Sequence, residues 1–211
     1  MSESAHAVTA RAPTAGSDLS DARAGVAQRR SSHTEPFCPK HHLNARMTLF
    51  DALRQSHELQ RRLCRRLVRI KPQDRDTVFL TLKVELEAHA AAEERFLYVP
   101  MLMTNPGLSA SRHALAEHHT IEELCEDLSV PDKGTAAWLA TAKRLSDKVH
   151  HHLREEERKF FQLAGKLISD ADKLTLGRSY LKDLVHMRQH YAQAYKSLAV
   201  DRQGAVVPAA S

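Results

Sequence analysis

The chain is expected to be all-α, an up-and-down four-helix bundle with a fifth C-terminal helix. Three observations predict this. Large apolar residues recur at alternating spacings of three and four from residue 49 onward, the seam of a helix packed in a bundle. Glycine and proline are scarce, seven and eight in 211 residues. The breaks that do occur, at Pro72, Asn105-Pro106-Gly107, Pro131-Asp132-Lys133-Gly134 and Ser169 to Asp172, divide the pattern into five helix-length segments.

Residues 1–46 are rich in Ala, Ser, Thr, Arg and Gly and are read as a disordered N-terminal extension. Cys38-Pro39-Lys40-His41-His42 lacks a partner motif, so it is taken as part of that tail rather than a metal site. The helical pattern begins one residue after Met47, which suggests that the working protein starts there. The bundle is assigned to residues 47–169, the last helix to 170–198 and a flexible tail to 199–211.

Thr48-Leu49-Phe50-Asp51 has the form of a capping box, with Asp in place of the usual Glu or Gln. The helix it opens runs to about Ile70 on the seam Phe50, Leu53, His57, Gln60, Cys64, Leu67. Its outer face carries Arg61, Arg62, Arg65, Arg66 and Arg69, read as a solvated stripe. The second helix, from about Asp74 to Met103, has the seam Phe79, Leu82, Leu86, His89, Glu93, Phe96. The third, from about Ser109 to Ser129, has Ala114, His118, Ile121, Cys125, Leu128. The fourth ends near Ile168, with Ala142, Leu145, Val149, His152, Glu156, Phe160, Leu163, Leu167. The fifth, about Lys173 to Leu198, shows the stripe Leu181, Leu184, Tyr191, Tyr195, Leu198, and its His186 and His190 fall on a polar face.

Each of the first four helices thus places a histidine in its seam: His57, His89, His118 and His152. Two of them add a glutamate four residues on, Glu93 and Glu156, on the same helical face. Within His150-His151-His152 the periodicity selects His152, because His150 and His151 share faces with charged residues. An aromatic nine residues after each buried histidine, Tyr98 and Phe161, aligns the two copies. Ionisable groups in a core cost several kcal/mol each unless something pairs with them. Six such groups converging from four helices are the pattern of a dinuclear metal site.

Imidazole and carboxylate without thiolate suit iron, manganese, zinc or copper rather than magnesium or calcium. Two nitrogens per ion with two carboxylates placed to bridge leave open positions for an exogenous ligand. The order HxxxE, with nitrogen dominant, differs from the ExxH of carboxylate-rich di-iron oxidases and favours reversible binding over oxygen cleavage.

Ser56-His57-Glu58, Ala88-His89 with Glu93-Glu94, Glu117-His118-His119 and His152 with Glu156-Glu157 together resemble the hemerythrin-like family, the HHE cation-binding domain. The resemblance covers about residues 48 to 169. It implies a non-haem di-iron site with an oxo or hydroxo bridge, held by His57, His89, Glu93, His118, His152 and Glu156. Such proteins bind dioxygen, sense oxygen, iron or redox state, or handle nitric oxide and damaged iron–sulfur clusters. Oxygen-carrying members have a fifth histidine one turn from the third-helix ligand, where this chain has Ala114 and Glu122. Cluster-repair relatives carry an added cysteine-bearing N-terminal domain, whereas the tail here has only Cys38.

The function expected is a protein that binds or senses dioxygen, peroxide or nitric oxide at an open di-iron site. The alternative is an enzyme for peroxide or nitric oxide detoxification or cluster repair. An interaction protein using the arginine stripe ranks third: no aromatics interleave it, so no nucleic-acid partner is expected. No run reaches transmembrane length, and three cysteines without a CxxC suit a reducing cytoplasm.

Overall fold

The computed structural model describes residues 47–204, with side chains to residue 198; the N-terminal extension and the end of the tail lie outside the described residues. Every regular element among the described residues is helical, and no helix among them is long and apolar enough to cross a membrane.

Helix α1 is Leu49–Leu67. The expected capping box forms, with Thr48 Oγ1 accepting from Asp51 N and the Asp51 carboxylate accepting from Thr48 N. A 3-10 turn, Pro72–Asp74, leads into α2, which comprises Arg75–Glu93, a π turn Glu94–Tyr98, and Val99–Leu102. Helix α3 is Asn105–Asp127. Helix α4 comprises Ala136–Glu155, a second π turn Glu156–Phe160, and Phe161–Leu167. Helix α5, Asp170–Gly204, starts behind Ser169, whose hydroxyl accepts from Asp172 N, and continues past the expected end at residue 198.

Asn105-Pro106-Gly107 is not a separate turn but the first turn of α3. Thr104 caps that turn by accepting from Gly107 N, and proline is tolerated there because its missing N–H would be unpaired anyway. Gly107 is required by space, since a Cβ would strike the Met101 carbonyl.

Helices α1 and α2, the end of α2 and α3, α3 and α4, and α4 and α1 pack against each other, while α5 lies on α1 and α2. Two apolar clusters form the core. One holds Leu49 and Leu53 of α1, Leu97 and Met101 of α2, Ala114 of α3 and Phe160 and Phe161 of α4. The other holds Cys64 and Leu67, Val78 and Leu82, Leu124 and Leu128, and Trp138 and Leu145. Helices α1 and α3 therefore run from the first cluster to the second, and α2 and α4 run back.

The π turns correct the seam. One residue is inserted into the turn, so Val99 N bonds to Glu94 O, and Phe161 N to Glu156 O, five positions back. Beyond each insertion a different set faces inward. Leu97 and Tyr98 are fully buried where Phe96 was expected and is only half-buried. Phe161 and Ala164 are buried where Leu163 and Leu167 were expected; Leu167 is 41% exposed. On α5 the buried hydrophobic residues are Tyr180, Leu184 and Met187, and Leu198 is exposed.

Glycines 177 and 165 offer a test with opposite signs. A methyl at Gly177 would sit 2.8 Å from the backbone of Met47, Thr48 and Leu49, whereas at Gly165 the nearest atom is Phe50 Cε2 at 3.9 Å. Gly165→Ala should raise the melting temperature, by up to about 1 kcal/mol of added stability from helix propensity. Gly177→Ala should lower it, because overpacking of about 1–3 kcal/mol outweighs the same gain. Thermal unfolding of the two variants checks both signs.

Candidate metal centre

Between the two apolar clusters lies a buried layer of polar side chains: His57, His89, Glu93, His152 and Glu156, with His118 at its edge. All six sequence-selected residues meet there. Donor atoms of His57, His89, Glu93 and Glu156 fall within 4.8 Å of one another, and Glu93 belongs equally to a second group with His118 and His152. Glu93 is the shared member. His89 Nε2 and His118 Nε2 approach its Oε2 at 3.2 and 3.4 Å, and His57 Nε2 lies 4.0 Å from its Oε1. Glu156 Oε2 stands 3.4 Å from His57 Nε2 and 3.9 Å from His152 Nε2.

Each imidazole is fixed from behind at Nδ1, which turns Nε2 inward. His57 Nδ1 meets Glu157 Oε1 at 2.7 Å, His118 Nδ1 meets Glu94 Oε1 at 3.1 Å, and His152 Nδ1 meets Glu117 Oε2 at 3.1 Å. For His89 the partner is a hydroxyl, Tyr180 Oη at 2.8 Å. Glu93 and Glu156 are thus each followed by a glutamate that orients a histidine on a neighbouring helix. Arg61 braces this arrangement by donating to Glu157, so it is not part of a solvated stripe. Arg62, Arg65, Arg66 and Arg69 do border an open groove on α1.

The π turns also deliver Tyr98. Residues five apart on an α-helix point about 140° from each other. In the π turn Tyr98 instead stands over Glu93, donating to Glu93 Oε2 at 3.0 Å or to Glu156 Oε1 at 2.8 Å. Its hydroxyl lies 3.4 Å from His118 Nε2.

Several side chains here escaped the sequence reading. Glu94 and Glu157 were signalled by the repeated Glu-Glu doublet but given no role. Glu117, outside the expected seam of α3, is buried beside His152. Tyr180 falls beside the expected stripe of α5 and is fully buried. On α5, His186 and His190 are exposed, as their polar face predicted, and Asp183 pairs with Arg95.

Four buried atoms of this layer, His57 Nε2, His89 Nε2, Glu93 Oε1 and Glu156 Oε2, have no hydrogen-bond partner. Unpaired buried polar atoms each cost about 1–3 kcal/mol, and here one comes from every residue of the first group. A cation among them would satisfy all four, with nitrogen and carboxylate donors suited to a first-row transition metal. The fit is good.

Burial drives His57 down to about 4, against the pull of Glu157. Burial also opposes the charge on His118, but Glu93 and Glu94 outweigh it and lift that group to about 9. Burial raises Glu93, yet His89 and His118 hold it well below the usual carboxylate range. Burial and the Glu93 charge push Glu156 well above that range. The lift on His118 and the upward push on Glu156 both oppose a cation, which needs these donors deprotonated.

The family model described as Hemerythrin HHE cation binding domain matches residues 48–164. No curated protein and no solved structure matches the chain.

Two predictions follow from the geometry. Cation uptake must displace the proton that Glu93 and Glu94 hold on His118, and it works against the upward push on Glu156, so affinity should tighten as pH rises; titration calorimetry in buffers of different ionisation heat reads the protons released. Glu94→Gln and Glu157→Gln should each weaken cation binding by roughly 10- to 100-fold while leaving the helical content intact. Competition against a chromophoric chelator measures that loss.

Proposed function

The chain belongs to the hemerythrin HHE cation-binding family, and on that premise we propose that it is a non-haem di-iron protein that binds or senses dioxygen, peroxide or nitric oxide. The observation that carries this reading is the set of four unpartnered donor atoms, with Glu93 shared between two ligand groups. His57 and His89 would hold one ion, His118 and His152 the other, and Glu93 and Glu156 would link them. When bound, the iron pair supplies redox change and open positions for a small ligand. The alternation of helix direction between the two apolar clusters supports an up-and-down bundle as the frame.

A cavity of about 300 Å³ between α2 and α3 supports access from solvent. Three of the candidate ligands, His89, His118 and His152, line it together with Leu86, Leu115 and Ile121. Tyr191 of α5 also lines it. Apolar side chains alternate in the lining with the carboxylates of Glu87, Glu94 and Glu122, which disfavours an anion and admits an uncharged diatomic. Cys64 and Cys125 are buried free thiols, each pushed up to about 12 by burial, which is in keeping with a cytoplasmic setting.

Tyr98 favours a second reading, an enzyme that consumes peroxide or nitric oxide. Burial and the two carboxylates raise its hydroxyl well above the usual phenol range, so the proton stays on Oη. That proton faces Glu93 and Glu156 of the ligand cluster. A ligand held there would accept a hydrogen bond from Tyr98 in either reading, and the second adds turnover of that ligand.

Protein from iron-replete cells should carry about two irons per chain, with oxo-to-iron absorption bands that respond to azide. His89→Ala should lose iron and the bands. Absence of metal in the parent protein, with His89→Ala folding as well as the parent, would sink the proposal. Tyr98→Phe should keep the iron; a loss of peroxide turnover, rather than of ligand affinity alone, would select the enzyme.

A further inference from the structure

A second meeting of imidazoles and carboxylates lies on the surface where α3 packs on α4. It uses the same HxxxE spacing twice more, His113 with Glu117 and His151 with Glu155. His113 Nε2 stands 3.8 Å from Glu117 Oε2 and 3.8 Å from Glu155 Oε2. Donor atoms of these three residues all lie within 4.8 Å of one another. His151 Nε2 adds a second imidazole, 3.1 Å from Glu155 Oε2 and 3.9 Å from Glu117 Oε1. Bonds of about 2.0–2.2 Å around a tetrahedral zinc hold neighbouring donors roughly 3.4 Å apart, so small side-chain rotations close the set.

We propose that His113, His151, Glu117 and Glu155 form a surface site for a first-row divalent cation, zinc or ferrous iron, coupled to the buried centre through Glu117. The site spans the surface. The side chains of His113 and His151 are 62% and 58% exposed, while that of Glu117 is 6% exposed. Ions can therefore exchange with solvent on one side and reach a buried carboxylate on the other. Glu117 Oε2 is the atom that meets His152 Nδ1 at 3.1 Å. A cation on that oxygen draws charge from it and weakens its hold on the His152 ring, changing what His152 presents to the interior. Lys148 on Glu117 Oε1 and Lys159 on Glu155 already balance the two carboxylates, so the ion must compete with them. Exchangeable rather than permanent binding results.

The site stands independently of the function proposed above, and only its coupling rests on that reading. The test is equilibrium dialysis of the iron-loaded full chain against zinc, with metal counts for the parent and for His113→Ala/His151→Ala. The parent should take up one ion more than the double variant, with its visible bands shifted by zinc and those of the variant unmoved. Equal counts would overturn the site. One extra ion with unshifted bands would overturn the coupling. Because the count is a difference between two chains, it reads the surface site whatever metal fills the buried centre.

Discussion

The structure turns on the cost of placing ionisable groups inside a helical core. A layer of imidazoles and carboxylates separates two apolar clusters, and neither cluster can spread across it without leaving charge unpaired. The chain meets this by tying the outer nitrogen of every buried imidazole to a partner on another helix. Those ties also hold the helices in register. The inward nitrogens are left over, and a bound cation resolves what the fold leaves unsatisfied.

Much of this was legible in the sequence. A three/four spacing placed His57, His89, His118 and His152 in the seams, and all four side chains point to one layer because each helix crosses it once. Periodicity failed where the helix itself changes. The π turns begin at Glu94, just past Glu93, and at Glu156 itself, so the phase that located the ligands misplaced Phe96, Leu163 and Leu167. The nine-residue spacing to Tyr98 and Phe161 held the clue: on an uninterrupted α-helix nine residues is about half a rotation, and an aromatic there would face outward.

The braces were harder to read because they sit one residue off the seam. Glu94 and Glu157 look like solvent-facing members of acidic doublets, yet each reaches to an adjacent helix for a histidine. Arg61 looks like one of five surface arginines and instead donates to Glu157. Hydrogen bonds between helices depend on which helices are neighbours, and no spacing along one helix encodes that.

The fifth helix sets the boundary of the working unit. The family pattern ends at residue 164, but Tyr180 supplies the brace for His89 from beyond it. Arg188 does the same for Glu85, gripping both carboxylate oxygens while Ser56 donates to one of them. Both partners arrive from a segment the shared pattern does not include. What similarity delimits and what folds as a unit are different lengths of chain here. A relative that ends with the fourth helix must brace the second-helix histidine from somewhere else, so the two would share ligands without sharing the chemistry those ligands are tuned to.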